Sequence, residues 1–411
     1  MGNGYAVKNE NFRSWFMDKL LMGLSWQEYA RKLLTPFNVV AAIILSIGLP
    51  LIVLRFVDGL YLVTHASDDY PWGLYLGWGL FGGVPLSATG FVMATAYYIF
   101  GFKGFRPIVR LAVLTGFLGY LFAVIYLLVD LGRPWRIYYP MIIGFGTASV
   151  LFLVAWHVAT YLTVQLLEFS PAILEWLKST RVRKWATMIT IGMTIAGIIL
   201  STLHQSALGA MYLLAPGKLH PLWFSSYIPI FFLSSAIYAA LAMVIVVSAL
   251  AVRFLRDKAG QTFLGSIDRI TLGLGKGACI GMYVYFVLKV IGIAHDDNWG
   301  LLSTPYGYWF LVEILGFVLL PALIFTLGVK MSSVGTVRFG AFLAVIGIIV
   351  NRLNVSIVAL NWNLPNHLYH IIPPWREVAV VLSIATIHIL IFRWILNRMP
   401  VLREEPGYED H

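Results

Sequence analysis

The chain has 411 residues, of which 59% are hydrophobic, 15% aromatic and only 12% charged. That excludes a soluble domain of this size, because long apolar runs recur from end to end and ~20 such residues suffice to cross a bilayer. The formal charge of +10 would suggest nucleic acid in a soluble protein, but here most Lys and Arg fall in short loops on one side, which is a membrane-topology signal.

Residues 1–36 are mixed and charged, with Lys8, Arg13, Lys19, Arg31 and Lys32. They do not read as a cleavable signal peptide, and Trp15–Leu34 has the pattern of one amphipathic surface helix. Pro36 then opens the first of ten predicted spans: 37–63, 72–100, 106–130, 137–167, 185–212, 226–252, 268–294, 305–328, 338–361 and 376–397. Backbone polar groups in hydrocarbon must be satisfied within the segment, so the spans are expected to be helices. The expected fold is all-α: a polytopic membrane domain of about ten helices over 37–397, with a short tail at 398–411. Small-xxx-small stripes, Gly73/Gly77, Gly79/Gly83 and Gly273/Gly277/Gly281, favour close helix contact. Two four-helix bundles, spans 2–5 and 6–9, with outer helices at each end, would be a natural packing.

Loops 101–105, 168–184, 253–267 and 329–337 are basic, whereas Asp68, Asp69, Asp296 and Asp297 mark the opposite side. The positive-inside rule then places both termini in the cytoplasm of a cell-membrane protein. The loop Asp130-Leu-Gly-Arg133-Pro-Trp-Arg136 breaks the charge pattern, because Arg133 and Arg136 fall on the outer side, with loops 213–225 and 362–375. Cys279 is the single cysteine, which excludes an intrachain disulfide, a Cys-ligated iron–sulfur cluster and a CxxCH haem attachment. Any metal carriers are therefore expected in partner chains.

Ionisable groups inside spans are costly and so are functional candidates: Arg55, Asp58, His157, His204, Lys276, Lys289, Glu313, Arg352 and His388. Arg55 and Asp58, one turn apart, are expected to pair. His204, in Ser201-Thr-Leu-His-Gln-Ser206, lies ~13 Å below the outer end of span 5. Asp130 closes span 3 on that side, and Trp72 and Tyr75 begin span 2 there. A quinone headgroup needs hydrogen-bond donors at its carbonyls and a proton acceptor nearby, which Trp72, Tyr75, Asp130, His204 and Gln205 would provide. Position alone also allows Trp72 and Tyr75 to be belt aromatics, His204 to be a structural histidine, and Asp130 with Arg133 to be a helix cap and local ion pair. Lys289, Glu313 and Arg352 share a depth on spans 7–9. Glu313 is expected to pair with Arg352 or Lys289, as a structural cluster or as a proton or ion path. That trio also supports a rival reading, a secondary transporter or ion channel.

A haem would need two histidines at matching depth. His157 and His204 are placed ~15 Å apart in depth by the predicted spans, so no pair is expected. His65, His220, His295, His367 and His370 are in outer loops without zinc-site spacing.

Several stretches together resemble the NrfD/polysulfide-reductase membrane-subunit family over nearly the whole chain. They are Pro71-Trp72-Gly73, Asp130-Leu-Gly-Arg133, Leu203-His204-Gln205-Ser206, His220-Pro-Leu-Trp223, Trp309 with Glu313, Arg352, and Pro374-Trp375-Arg376-Glu377. The nearest likeness is to the ten-helix branch of HybB-like, DsrP-like and HmcC-like subunits. The resemblance implies a subunit without haem or cluster of its own, with a menaquinone/menaquinol site near the outer face. It implies an exterior ferredoxin-like iron–sulfur partner, connected to a further cytochrome, hydrogenase or sulfur-linked subunit. It puts Asp130, His204 and Gln205 around the quinone, and Glu313 and Arg352 at polar positions where a proton route has been suggested. Arg133, Arg136 and His220 are the expected docking residues. Some relatives carry an acidic residue where this chain has Gly79, so a proton role there does not carry over.

Overall fold

The structure is a computed structural model describing residues 12–365, 367–368 and 370–403; Lys8 and the tail beyond 403 lie outside them. Among the described residues ten helices are long and apolar enough to cross a membrane: span 1 (Pro36–Asp58), span 2 (Tyr75–Ile99), span 3 (Lys103–Asp130), span 4 (Val150–Trp176), span 5 (Thr180–Leu214), span 6 (Ile228–Phe254), span 7 (Gln261–His295), span 8 (Pro305–Lys330), span 9 (Val334–Val358) and span 10 (Trp375–Arg398). The protein is an all-α, multi-pass integral membrane protein. An even number of crossings brings residues 36 and 398 to one face, and Arg398 donates there to the Leu20 carbonyl at 2.8 Å. That face carries the basic loops and is called the basic face. The other carries Asp68, Asp69, Asp296 and Asp297 and is called the acidic face.

Lipid is as apolar as a leucine side chain, so helix association in it rests on close packing and polar contacts. Spans 2–5 pack as one group and spans 6–9 as another, and spans 6 and 9 close onto spans 2 and 5. The outer helices do not sit one at each end. Spans 1 and 10 pack on each other and on span 3, with Ser383 Oγ donating to the Ile44 carbonyl at 3.1 Å.

Several boundaries differ from expectation by a turn or more, among them the ends of spans 1, 5 and 7, and two differ for clear local reasons. The N-terminal surface segment is two helices, Phe12–Lys19 and Trp26–Leu33. Met22 and Gly23 adopt positive φ between them, and Ser25 and Glu28 form a capping box that starts the second. Span 4 begins at Val150, not 137, because a short helix, Tyr139–Ile142, ends before Gly144 and Gly146, and Ser149 caps Phe152 to start the span. It consequently extends to Trp176, so Glu168 lies within the membrane span and not in a loop.

Span 2 from Tyr75 to Gly82, span 8 from Val312 to Leu319 and span 9 from Asn354 to Val358 are π-helical. Such wide turns are rare and concentrate at functional sites; here they carry Tyr75, Glu313 and Asn354.

At Gly79 an added Cβ would lie 2.2 Å from Tyr126 Cγ, and Tyr126 is held by its hydroxyl on the Val381 carbonyl at 3.0 Å. The close approach of spans 2 and 3 leaves no room for the acidic side chain of some relatives. Gly79→Asp is expected to destabilise by ~1–3 kcal/mol from overpacking alone, seen as a lower melting temperature in detergent. Wild-type melting would mean that Tyr126 can swing aside.

Candidate functional site: a polar mouth on the acidic face

Span 10 starts after Pro374 and presents Glu377 in its first turn. Glu377 is 2% exposed, and its Oε1 accepts from the Leu74 N–H, at the start of span 2. The free N–H groups and positive dipole end of a helix are a natural seat for a carboxylate. Gly73 makes the approach possible, since a Cβ there would lie 2.4 Å from Oε1. Tyr75 follows, fully buried, with its hydroxyl unpartnered among the described residues. It lies within electrostatic reach of Glu377, Asp130 and Arg55.

Arg55 does not pair with Asp58, which is exposed. Its guanidinium turns inward and donates to the Val129 and Leu131 carbonyls. These are the free acceptors at the C-terminal, negative end of span 3, so the cation caps that helix and lies beside Asp130. Above this cluster lies a narrow cleft walled by Tyr70, Trp72, His65, His370 and Glu377. Tyr70 donates to the Ile357 carbonyl at 2.8 Å, and burial raises its phenol above the ordinary value.

Of the five quinone candidates, Trp72 lines this mouth, and Tyr75 and Asp130 lie within electrostatic reach of its Glu377. His204 and Gln205 do not. They meet Tyr120 of span 3, ten positions before Asp130 and therefore ~15 Å deeper. The Tyr120 hydroxyl is 2.5 Å from His204 Nε2 and accepts from Gln205 Nε2 at 3.0 Å.

The longer span 4 also corrects the depth of His157. It is seven residues from Val150, while His204 is ten from Leu214, so the two differ by only ~5 Å. They still do not fit a bis-histidine haem. Both His204 nitrogens are engaged, Nδ1 with the Leu200 carbonyl at 2.7 Å, and the Tyr120 and Tyr161 rings each lie 5.2 Å from its ring.

In the second bundle Glu313 makes no direct ion pair with Arg352 or Lys289 among the described residues. Its carboxylate accepts from Trp223 Nε1 at 2.7 Å, Asn351 Nδ2 at 2.6 Å and Asn354 Nδ2 at 2.5 Å. Asn351 bridges to Arg352, whose Nη1 donates to its Oδ1 at 2.8 Å. Arg352 also donates to Ser235 Oγ at 2.7 Å and stacks on Phe232 at 3.8 Å. Lys289 Nζ sits between the Phe231 and Phe310 rings, 4.9 and 5.0 Å away. Neutral amides and aromatic faces thus replace the expected charge–charge contact.

Arg133 and Arg136 are exposed on the acidic face. His220 is 3% exposed, stacked on Tyr306 at 4.5 Å and edge-on to Trp362 at 4.9 Å. Its burial pushes the imidazole down to about 4. An exterior protein can therefore reach the two arginines but not that ring. Sequence reasoning assigned no role to Glu377, although a glutamate three residues after Pro374 is a readable first-turn signal.

The family model for polysulphide reductase, NrfD, matches residues 62–361. The chain belongs to the NrfD family. Over 92% of its length this NrfD-family chain is 46% identical to a protein of Nitratidesulfovibrio vulgaris, covering 98% of it. It is 28% identical, over 86% of its length, to the probable Ni/Fe-hydrogenase 2 b-type cytochrome subunit of Escherichia coli, 88% of which is covered. It is 25% identical, over 84%, to the integral membrane subunit of a menaquinone reductase of N. vulgaris, 86% of which is covered. The NrfD match takes in spans 2–9, whereas Arg55 and Glu377 come from spans 1 and 10, outside it.

Proposed function

We propose that this NrfD-family chain is the quinone-reactive membrane subunit of a respiratory redox complex. It exchanges electrons between menaquinone or menaquinol at the acidic face and an exterior ferredoxin-like iron–sulfur subunit, which connects to a further cytochrome, hydrogenase or sulfur-linked subunit. The positive-inside asymmetry makes the acidic face the outer one, with both termini in the cytoplasm of the cell membrane.

One observation carries the reading: a buried carboxylate, Glu377, at an aromatic-walled cleft on one membrane face, within electrostatic reach of the unpartnered Tyr75 hydroxyl. Menaquinol, when bound, supplies two electrons and two protons. Trp72 and Tyr70 flank the ring plane. Tyr75 donates a hydrogen bond to a carbonyl oxygen, and Glu377 holds or passes a proton, as a positioned carboxyl does in acid–base catalysis. Asp130, steadied by Arg55, is the second carboxyl at the mouth. His204 and Gln205, deeper in the bundle, serve the proton side of the reaction through Tyr120. Arg133 and Arg136 dock the exterior subunit. Glu313, Arg352 and Lys289 form a second polar centre suited to moving protons.

The test is to isolate the native complex and label it with a photoreactive naphthoquinone. Label is expected on segments 64–75 and 370–377, displaced by excess menaquinone, in a preparation that contains iron–sulfur protein. A chain that purifies alone as a homo-oligomer, with no quinone-protectable label, would favour the transporter reading. His204→Ala should slow turnover of a menaquinol analogue while leaving the label at the mouth intact; normal turnover would remove His204 from the mechanism.

A further inference from the structure

Span 4 carries His157, Tyr161, Gln165, Glu168 and Glu175 at intervals of four, four, three and seven residues, which places them on one helix face. That face meets span 5, which answers with Thr194, Ser201, His204 and Gln205, all of them buried. The two spans pack closely along their length. From His157 to Glu175 is 18 positions, or ~27 Å along the helix, close to the ~30 Å of a hydrocarbon core. A continuous polar seam through a membrane helix pair is expensive and calls for a use.

The contacts run along it in order. At the basic face Glu175, 1% exposed, takes Arg110 Nη2 at 2.9 Å and Arg183 Nη2 at 3.6 Å. Two turns inward Glu168 meets no cation within ion-pair distance among the described residues; its Oε1 accepts from Thr194 Oγ1 at 2.9 Å. One turn further Gln165 Nε2 donates to the Tyr161 hydroxyl at 2.9 Å. Tyr161 stands 4.7 Å, ring to ring, from Tyr120, which holds His204. Four buried polar atoms on this seam have no partner among the described residues: His157 Nδ1, Gln165 Oε1, Ser201 Oγ and Gln205 Oε1. Buried polar atoms are rarely left unpaired, and ordered water is the usual partner.

We propose that spans 4 and 5 carry a proton route from the basic face to the His204–Tyr120 pair, with Glu168 as its protonatable relay. The step is a proton hop: the Glu168 carboxyl releases its proton to a hydrogen-bonded neighbour on the His204 side and is reprotonated from the Glu175 side, with no change in electron count. What drives it rests on the quinone reading; the seam does not. With the route in place, protons exchanged at the basic face and electrons passed at the acidic face make turnover charge-separating.

The test uses the native complex reconstituted in liposomes, driven by a menaquinol analogue, with a pH-sensitive dye on the basic-face side. Glu168→Gln keeps the Thr194 hydrogen bond and removes the proton. It is expected to lower basic-face proton exchange per electron by about 10²-fold, the lower end of what a lost proton-transfer group costs. Electron transfer should continue, because the mouth still exchanges protons with the acidic face. Glu168→Asp should restore part of the exchange, and Gln165→Leu, which cuts the seam further in, should reproduce the loss. Wild-type exchange in Glu168→Gln, or no basic-face exchange in the wild type, overturns the proposal. If the wild type does not turn over menaquinol at all, the quinone reading fails by itself. The route is then judged by proton flux under an imposed potassium diffusion potential. Flux lost in Glu168→Gln supports it; flux absent in the wild type or unchanged in the variant overturns it.

Discussion

Glu377→Gln is expected to lower menaquinol turnover by ~10²–10³-fold in the intact complex, the lower part of the ~10²–10⁴-fold that a positioned general acid–base group contributes. The amide has the shape of the carboxyl, and its oxygen can still accept from the Leu74 N–H. Fold and pocket should therefore survive, and binding of a naphthoquinone probe should change little. What disappears is a group able to carry a proton beside the Tyr75 hydroxyl. Glu377→Ala is a poorer probe, because it also leaves the start of span 2 uncapped, at ~0.5–2 kcal/mol. The measurement is the steady-state rate with a menaquinol analogue alongside the probe's affinity. A rate near wild type with unchanged affinity would take Glu377 out of the chemistry.

Glu313→Ala should produce the largest loss of stability. Three buried donors, Trp223 Nε1, Asn351 Nδ2 and Asn354 Nδ2, converge on that carboxylate. Each would lose its acceptor at a depth without bulk water, at ~1–3 kcal/mol apiece. Even with partial rearrangement the sum should exceed ~3 kcal/mol, the usual cost of breaking a buried charged network. Glu313→Gln should be intermediate, since its amide nitrogen would face a donor where an acceptor is needed. Thermal melting in detergent, followed by tryptophan fluorescence, reads the effect, because Trp223 is itself a partner. A Glu313→Ala protein melting at the wild-type temperature would show that the network contributes specificity and not stability.

The two carboxylates illustrate how legibility varied. Glu313 was visible as a charge in an apolar run, and only its partners were misassigned: a cation was expected where Asn351 and Asn354 stand. Glu377 was visible as a helix-start residue but carried no hint of its target, because Leu74 is 303 positions away. Glu168 was hidden by a boundary error. Ending span 4 at 167 put it in a loop, and the same error displaced His157 in depth. Both follow from reading 137–149 as continuous with span 4, where Gly144 and Gly146 separate a short helix, Tyr139–Ile142, from it.

By itself the sequence determined the crossings, the two faces and the family. The crossings and faces follow from local quantities, the length of an apolar run and the distribution of Lys and Arg beside it, which need no knowledge of neighbours; the family follows from the likeness of short motifs. Which polar groups meet was decided only by the tertiary structure. Inside lipid no water drives apolar faces together, so pairing depends on close approaches such as Gly73 to Glu377 and on hydrogen bonds with no lipid competitor. Those contacts join chain segments hundreds of residues apart, and no periodicity along the chain announces them.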